Sequence, residues 1–259
     1  MPEGHTVHRT ANHFTKNFAG HKVLVSSPQG RFTDSKLVNG TELLSAKAVG
    51  KQLFLRFEPA ILRIHLGIYG KWQFSEVEEI PEPKGAVRAR FLAGKKLADL
   101  RGPTACELLS KEQYREVLSR LGPDPLDTKA DKQMFIDKVA RSGVSIGQLL
   151  MDQSVISGIG NVYRAELLFR ANQDPHTPGK LIPKEIVEAI WDDAVTLMPL
   201  GVKTGLMLTR EGFLKAKTKK DDRYYVYKRE GLSCRECGNL ISIEVMATRK
   251  LYFCAACQA

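Results

Sequence analysis

The chain has 259 residues, 43% of them hydrophobic, which is enough for proper cores and more than one domain usually holds, so two domains are expected. Lysine and arginine total 39 against 29 aspartates and glutamates, and the net charge of +10 favours a polyanionic partner through long-range attraction and counterion release. No apolar run reaches the roughly 18 residues of a membrane-spanning helix, so a helical span is excluded.

In chain order, Thr6–Phe18 has no breaker and repeats Val7, Ala11, Phe14 and Phe18 at helical spacing, so a helix is expected there. Short β-branched and apolar runs follow at Lys22–Ser26, Leu43–Val49, Gln52–Phe57 and Ile61–His65, broken by Gly, Pro and Asp, and they read as strands. Residues 86–99 read as two more strands around Ala93-Gly94-Lys95. Lys111–Leu121 reads as a helix that runs into Gly122-Pro123-Asp124-Pro125, the clearest domain boundary. Beyond it the period turns helical over Asp131–Arg141, Ser145–Met151, Asn161–Ala171 and Pro183–Leu200. Lys215–Asp222 reads as a mobile basic loop. His5, His8 and His13 match no metal spacing and are expected on an exposed helix face, and Cys106, with no C-x2-C mate, is expected to pack as a small apolar residue.

Cys234 and Cys237, then sixteen residues, then Cys254 and Cys257 form a C-x2-C…C-x2-C pattern that suits one structural Zn2+ held by four thiolates, with a short hairpin between the knuckles. That hairpin carries Arg249, Lys250, Tyr252 and Phe253, a basic and aromatic finger suited to a nucleic-acid groove. The alternatives are two disulfides or a ribbon that only secures the C-terminus; with no signal peptide recognised, a reducing intracellular compartment is expected. The connector Ser157-Gly158-Ile159-Gly160 leads into Asn161, a good N-cap, and the helix start is either a phosphate site or an ordinary capped hairpin.

At the other end, Met1 before Pro2 suggests processing that leaves a secondary amine. An α-amino group titrates near ~7.7–8.0, so a useful fraction is neutral and nucleophilic at physiological pH. Attack on an aldehyde or hemiacetal carbon would give an iminium, with Glu3 next in sequence to move protons at that carbon.

Taken together, Pro2-Glu3-Gly4, the segment Gln153 to Arg164 and the run Val226-Tyr227-Lys228-Arg229-Glu230-Gly231 before the cysteines resemble the formamidopyrimidine-DNA glycosylase and endonuclease VIII family over the whole chain, in order. The resemblance implies an α+β, two-domain base-excision repair enzyme. An N-terminal β-sandwich flanked by helices would occupy 1–121, a linker 122–130, a helix-two-turns-helix module 131–222 and a zinc finger 223–259. It implies Pro2 as nucleophile at C1′, Glu3 as the assistant to ring opening, and Lys51 as a grip on phosphate near the lesion. His65, Asn161 and Arg249 would be further phosphate contacts.

The purine branch follows His-Leu-Gly with a methionine wedge. Here Ile68 and Tyr69 follow His65-Leu66-Gly67, and Pro103 stands where a phenylalanine is expected, with Arg101 kept as a contact to the orphaned base. Leu208–Tyr225 is also short for the loop that caps 8-oxoguanine. The resemblance is therefore nearer the endonuclease VIII branch, and implies removal of oxidised pyrimidines with β,δ-elimination at abasic sites in damaged double-stranded DNA. It further implies a cytoplasmic, nucleoid-associated monomer. A non-catalytic damage sensor and a zinc-ribbon RNA-binding protein are the rival readings, and both leave Pro2 and Glu3 without a purpose.

Overall fold

The computed structural model describes residues 2–259, so the fate of Met1 lies outside the described residues. The chain forms two compact units that divide between Ser119 and Arg120.

The first unit opens with helix α1 (Gly4–Asn17), entered from Glu3 in extended conformation, φ −124°. Val7, Ala11 and Phe14 turn one face inward, and the Phe18 N–H closes the last turn on the Phe14 carbonyl at 2.9 Å. Phe14 stands edge-on to Trp72, Phe74 and Phe91, with centroids 5.0–5.7 Å away, an arrangement that aromatic quadrupoles favour.

The strands are β1 (Lys22–Ser26), β2 (Thr41–Val49), β3 (Gln52–Phe57), β4 (Ile61–His65), β5 (Lys71–Glu76), β6 (Val87–Ala93), β7 (Lys96–Arg101) and β8 (Ala105–Leu109). They pair antiparallel in the order β5-β7-β6-β1-β2-β3-β4-β8. Only Lys22↔Glu42 and Val23↔Thr41 join β1 to β2, so the order falls into two four-stranded halves linked at a short seam. One apolar cluster draws Leu53, Leu55, Leu62 and Ile64 from one half and Phe91, Ala98 and Leu100 from the other. A short helix α2 (Ser35–Val38) and a peripheral α3 (Lys111–Ser119) complete the unit. Strands β5 and β8 and helix α2 lie outside the runs expected from sequence: Lys71–Glu76 and Ala105–Leu109 carry few β-branched residues, and four residues show no helical period.

The second unit contains α4 (Lys132–Ala140), α5 (Ile146–Leu149), α6 (Asn161–Arg170), α7 (Lys184–Thr204) and the hairpin β9 (Ser242–Met246) and β10 (Arg249–Phe253). Asp131 caps α4 by accepting the Gln133 N–H at 2.9 Å. Helix α7 passes through Pro199 and ends four residues beyond the expected Leu200, where Gly205 takes the left-handed φ of 77° that stops a helix. Helix α6 is shared by two apolar clusters: Tyr163, Leu167 and Leu168 face α4 and α7, whereas Ala165 and Phe169 face Tyr225, Val226 and Tyr252. The expected basic loop is an exposed irregular segment with a single 3-10 turn (Lys220–Asp222), and just beyond it the Arg223 carbonyl accepts the Thr209 hydroxyl at 3.0 Å.

The expectation that His5 lies on an exposed helix face is wrong, since His5 is 3% exposed. Burial, then the positive chain start, Arg9 and His8, push its imidazole down to about 4. His13 is half-buried, with its ring centroid 3.9 Å from that of Phe74. His5 folds as the neutral ring and charges readily when unfolded, so its contribution to stability is complete above pH 6.5 and is lost as pH falls toward 4. Thermal unfolding followed from pH 7 to pH 4 is expected to show a shallower loss of Tm in His5→Gln than in the parent; parallel curves would contradict a neutral buried His5.

Candidate active site and nucleic-acid interface

In the first unit the candidate residues collect where the strands turn. The Gly20 N–H donates to the Leu43 carbonyl at 2.8 Å and the Thr15 hydroxyl to the Ala46 carbonyl at 3.4 Å, so α1 runs antiparallel to β2. From Thr15 back to Glu3 the helix climbs about 18 Å. From Ala46 on to Lys51 the strand climbs about 16 Å. The start of α1 therefore comes level with the Gly50-Lys51 turn between β2 and β3. Glu3 is fully buried there and Pro2 half-buried.

Gln52, the neighbour of Lys51, is the cross-strand partner of His65, which brings Lys51 and His65 to the same end of the sheet. Burial first, then Arg63 and Lys51, hold the His65 imidazole below its ordinary range. It is a neutral ring at pH 7, able to donate one N–H. After His65 the chain turns at Gly67, φ 62°, where an added Cβ would collide with the Thr104 side chain. The turn closes through the Gly70 N–H on the Leu66 carbonyl at 2.9 Å and leaves Tyr69 84% exposed and Ile68 41% exposed. Two large apolar groups on a closed turn form a rigid projection rather than part of a core.

Arg101 is placed beside this turn, since Gly102 packs against the Tyr69 backbone, but its side chain is committed. It donates to Asp99 at 3.1 Å, to Gln73 at 3.2 Å and to the Lys84 carbonyl at 3.0 Å. Asp99 in turn chelates the buried Arg90 at 2.7 and 3.0 Å. To meet an orphaned base Arg101 would have to exchange these partners for it.

In the second unit Asn161 is the first residue of α6; the N-cap is Gly160, which corrects the expected assignment. Gly158 takes the left-handed φ of 92°, whereas Gly160 is extended. The Asn161 side chain is buried and donates to the Lys250 carbonyl at 2.8 Å, next to Arg249 on β10. Asn161 and Arg249 thus lie in one neighbourhood although 88 positions separate them (249 − 161). Two residues on the same helix had received no role. Arg164 is fully buried beneath the β9–β10 turn. Glu166 is fully buried and accepts the N–H groups of Tyr225, Val226 and Tyr227 at 2.8–2.9 Å and the Thr209 hydroxyl at 2.6 Å. Burial pushes the Glu166 carboxyl up against the pull of those four donors. The only sequence signal for either residue was a charge set inside an otherwise apolar helix.

The four cysteine sulfurs lie within 4.8 Å of one another, with Cys234 to Cys257 at 3.8 Å and Cys237 to Cys254 at 3.5 Å. A tetrahedral ion with ligand bonds of 2.3 Å needs sulfurs about 3.8 Å apart, so the residues fit such an ion. The backbone at Asn239 pulls the Cys237 thiol down to about 6, while burial raises Cys254 and Cys257, whose protons a metal would displace. Cys106, pushed up to about 12 by burial, is an inert thiol.

Two family models match the chain: the formamidopyrimidine-DNA glycosylase N-terminal domain over residues 1–106 and the formamidopyrimidine-DNA glycosylase H2TH domain over 121–211. Endonuclease 8 1 of Mycobacterium tuberculosis (strain ATCC 25618 / H37Rv) is 42% identical over 267 aligned positions that cover all of both chains. Formamidopyrimidine-DNA glycosylase of Bacillus cereus (strain ATCC 10987 / NRS 248) is 27% identical, covering all of this chain and 98% of that protein. Among solved structures, wild-type Lactococcus lactis Fpg (MutM) in complex with N7-benzyl-Fapy-dG containing DNA shares the fold, with a TM-score of 0.82, 21% identity and 99% of each chain covered. Two matching family models and a 42% identical relative aligned from end to end establish that this chain belongs to the formamidopyrimidine-DNA glycosylase and endonuclease VIII family, and that it is a DNA glycosylase of base excision repair.

Proposed function

We propose that the chain removes oxidised bases, pyrimidines foremost, from damaged double-stranded DNA and cuts the strand at the resulting abasic site by β,δ-elimination. The observation that carries this reading is Glu3, a fully buried carboxylate next to Pro2 at the start of α1 and level with the Lys51 turn. A pure binding protein has no need of a secondary amine beside a sequestered acid. After loss of Met1, the neutral Pro2 nitrogen attacks C1′, the C1′–base bond breaks and the base leaves with the amine proton; the C1′–O4′ bond then breaks, O4′ taking a proton from Glu3, which opens the sugar ring. The resulting iminium draws electrons from the C2′–H bond; the C2′ proton is taken up, the 3′ phosphate leaves, and a second elimination releases the 5′ phosphate. Glu3 assists sugar-ring opening and shuttles the protons.

Lys51 and the neutral His65 hold phosphates near the lesion, Asn161 and Arg249 hold phosphates from the second unit, and Ile68 and Tyr69 fill the space that the extruded base vacates. Base extrusion costs a few kcal/mol, which a wedge and several phosphate contacts offset. Arg101 contacts the orphaned base only after release from Asp99 and Gln73. The preference for oxidised pyrimidines rests on the Ile68-Tyr69 turn, Pro103 and the short segment after Leu208, together with the endonuclease 8 name of the 42% identical relative.

Cys234, Cys237, Cys254 and Cys257 hold one structural Zn2+, which when bound fixes the two knuckles that carry the β9–β10 hairpin. The working division is a catalytic domain at 1–121, a linker at 122–130, a helical domain at 131–222 and the finger at 223–259. The protein acts as a monomer in the cytoplasm, on the nucleoid. No helix among the described residues is long and apolar enough to cross a membrane.

Borohydride reduction of the untagged protein on a duplex with one abasic site is expected to give a covalent adduct that maps to Pro2, and Pro2→Gly should lose both adduct and strand cleavage. Full cleavage by protein with a blocked N-terminus would sink the proline chemistry. Cys254→Ser is expected to lose the bound metal and to weaken duplex affinity about tenfold or more through loss of the finger's phosphate contacts. Unchanged affinity in the metal-free variant would remove the finger from the DNA-binding surface.

A further inference from the structure

The β9–β10 hairpin turns through Ala247 and Thr248 at φ 49° and 62°, with Met246 paired to Arg249 across the turn. Both central residues are left-handed, as a type I′ turn requires, but neither is the glycine or asparagine that this conformation favours, and Thr248 is β-branched. Such a turn persists only where its surroundings hold it. Directly beneath it sits Arg164, whose side chain is fully buried. Its guanidinium donates to the Lys250 carbonyl at 3.1 Å, to the Met246 carbonyl at 3.5 Å and to the Asn161 Oδ1 at 2.5 Å. Asn161 adds its own bond to the Lys250 carbonyl at 2.8 Å. The two carbonyls flank the strained pair of residues, and Arg249 stands between them in sequence.

A buried guanidinium is costly unless its forked donors are well used, and here the two terminal nitrogens are spent on the backbone at both sides of one turn and on Asn161. We propose that Arg164 is a positioning residue: with Asn161 it clamps the Ala247-Thr248 turn in its left-handed form and thereby aims Arg249 before DNA arrives. The inference rests on the reading of Arg249 as a phosphate contact. Lysine at position 164 would keep the charge and lose the fork, so it could not span Asn161 and both carbonyls at once.

The test compares the full-length parent, Arg164→Lys, Arg249→Ala and the double variant, each with its metal content measured, for equilibrium binding to an uncleavable abasic-analogue duplex over a range of salt. Arg249→Ala is expected to weaken binding and to lower the slope of log K against log salt by about 0.9, the loss of one phosphate contact. Arg164→Lys is expected to weaken binding about tenfold with a similar loss of slope, and the double variant should bind no worse than Arg249→Ala alone. Adding Thr248→Gly to Arg164→Lys should recover affinity, because glycine adopts the left-handed turn without a clamp. Parent-like binding by Arg164→Lys, an additive loss in the double variant, or failure of Thr248→Gly to recover affinity would each overturn the clamp. An Arg249→Ala variant that binds like the parent would instead refute the phosphate reading of Arg249.

Discussion

Burial of helix α6 on all its faces is the constraint on which the second unit depends. From Asn161 to Phe169 every residue is buried, so the polar side chains that the helix carries are shielded from bulk water. Several of them take backbone groups of distant segments as partners. Asn161 and Arg164 take carbonyls of the β9–β10 hairpin, and Glu166 takes three consecutive N–H groups at Tyr225–Tyr227. Arg170 takes the Thr209 carbonyl together with Asp193 of α7. One rigid rod thus sets the hairpin, the approach to the first knuckle and the base of the basic segment. The cost of burying these charges is offset only with all their bonds made, which ties the four segments to one geometry.

In the first unit the same end is reached with a sheet. Antiparallel pairing fixes the heights at which strands turn, so the Lys51 turn, His65 and the closed Leu66–Gly70 turn reach one end by register alone. The antiparallel run of α1 along β2 then brings Pro2 and Glu3 to that end. Burial first, and then the positive charge of Arg63 and Lys51, keeps the His65 ring neutral, while the partial positive charge at the start of α1 favours an anion, whether carboxylate or phosphate. Reactive groups on short turns of a rigid scaffold can be exposed without being loose.

The distribution of arginines shows how a basic chain separates structural from available charge. Arg90, Arg164 and Arg170 are buried or nearly so, and their terminal nitrogens bind carboxylates and carbonyls. Arg101 belongs with them, held by Asp99, Gln73 and Lys84. The count of 39 lysines and arginines therefore overstates the number of cations available to phosphate, and sequence matching by itself does not separate an arginine spent inside the fold from one left outside.

The sequence by itself determined the elements and the chemistry that local pattern encodes. Helix α1, strands β1, β3 and β4 and most of α6 lie within about a residue or two of their expected bounds, because periodicity and breakers are properties of neighbouring residues. The four cysteines declared their cluster by spacing, whereas Pro2 and Glu3 drew notice only in company with the motifs that mark the family. Only the tertiary structure decided that His5 is buried, that Asn161 holds the hairpin, that Arg101 is captive, and that Arg164 and Glu166 have work at all. Those outcomes depend on which segments pack against one another, and the bonds that define them span 89 positions for Asn161 to Lys250 and 59 for Glu166 to Tyr225. A local pattern carries no record of a partner that far along the chain, whereas burial makes a polar group costly without one.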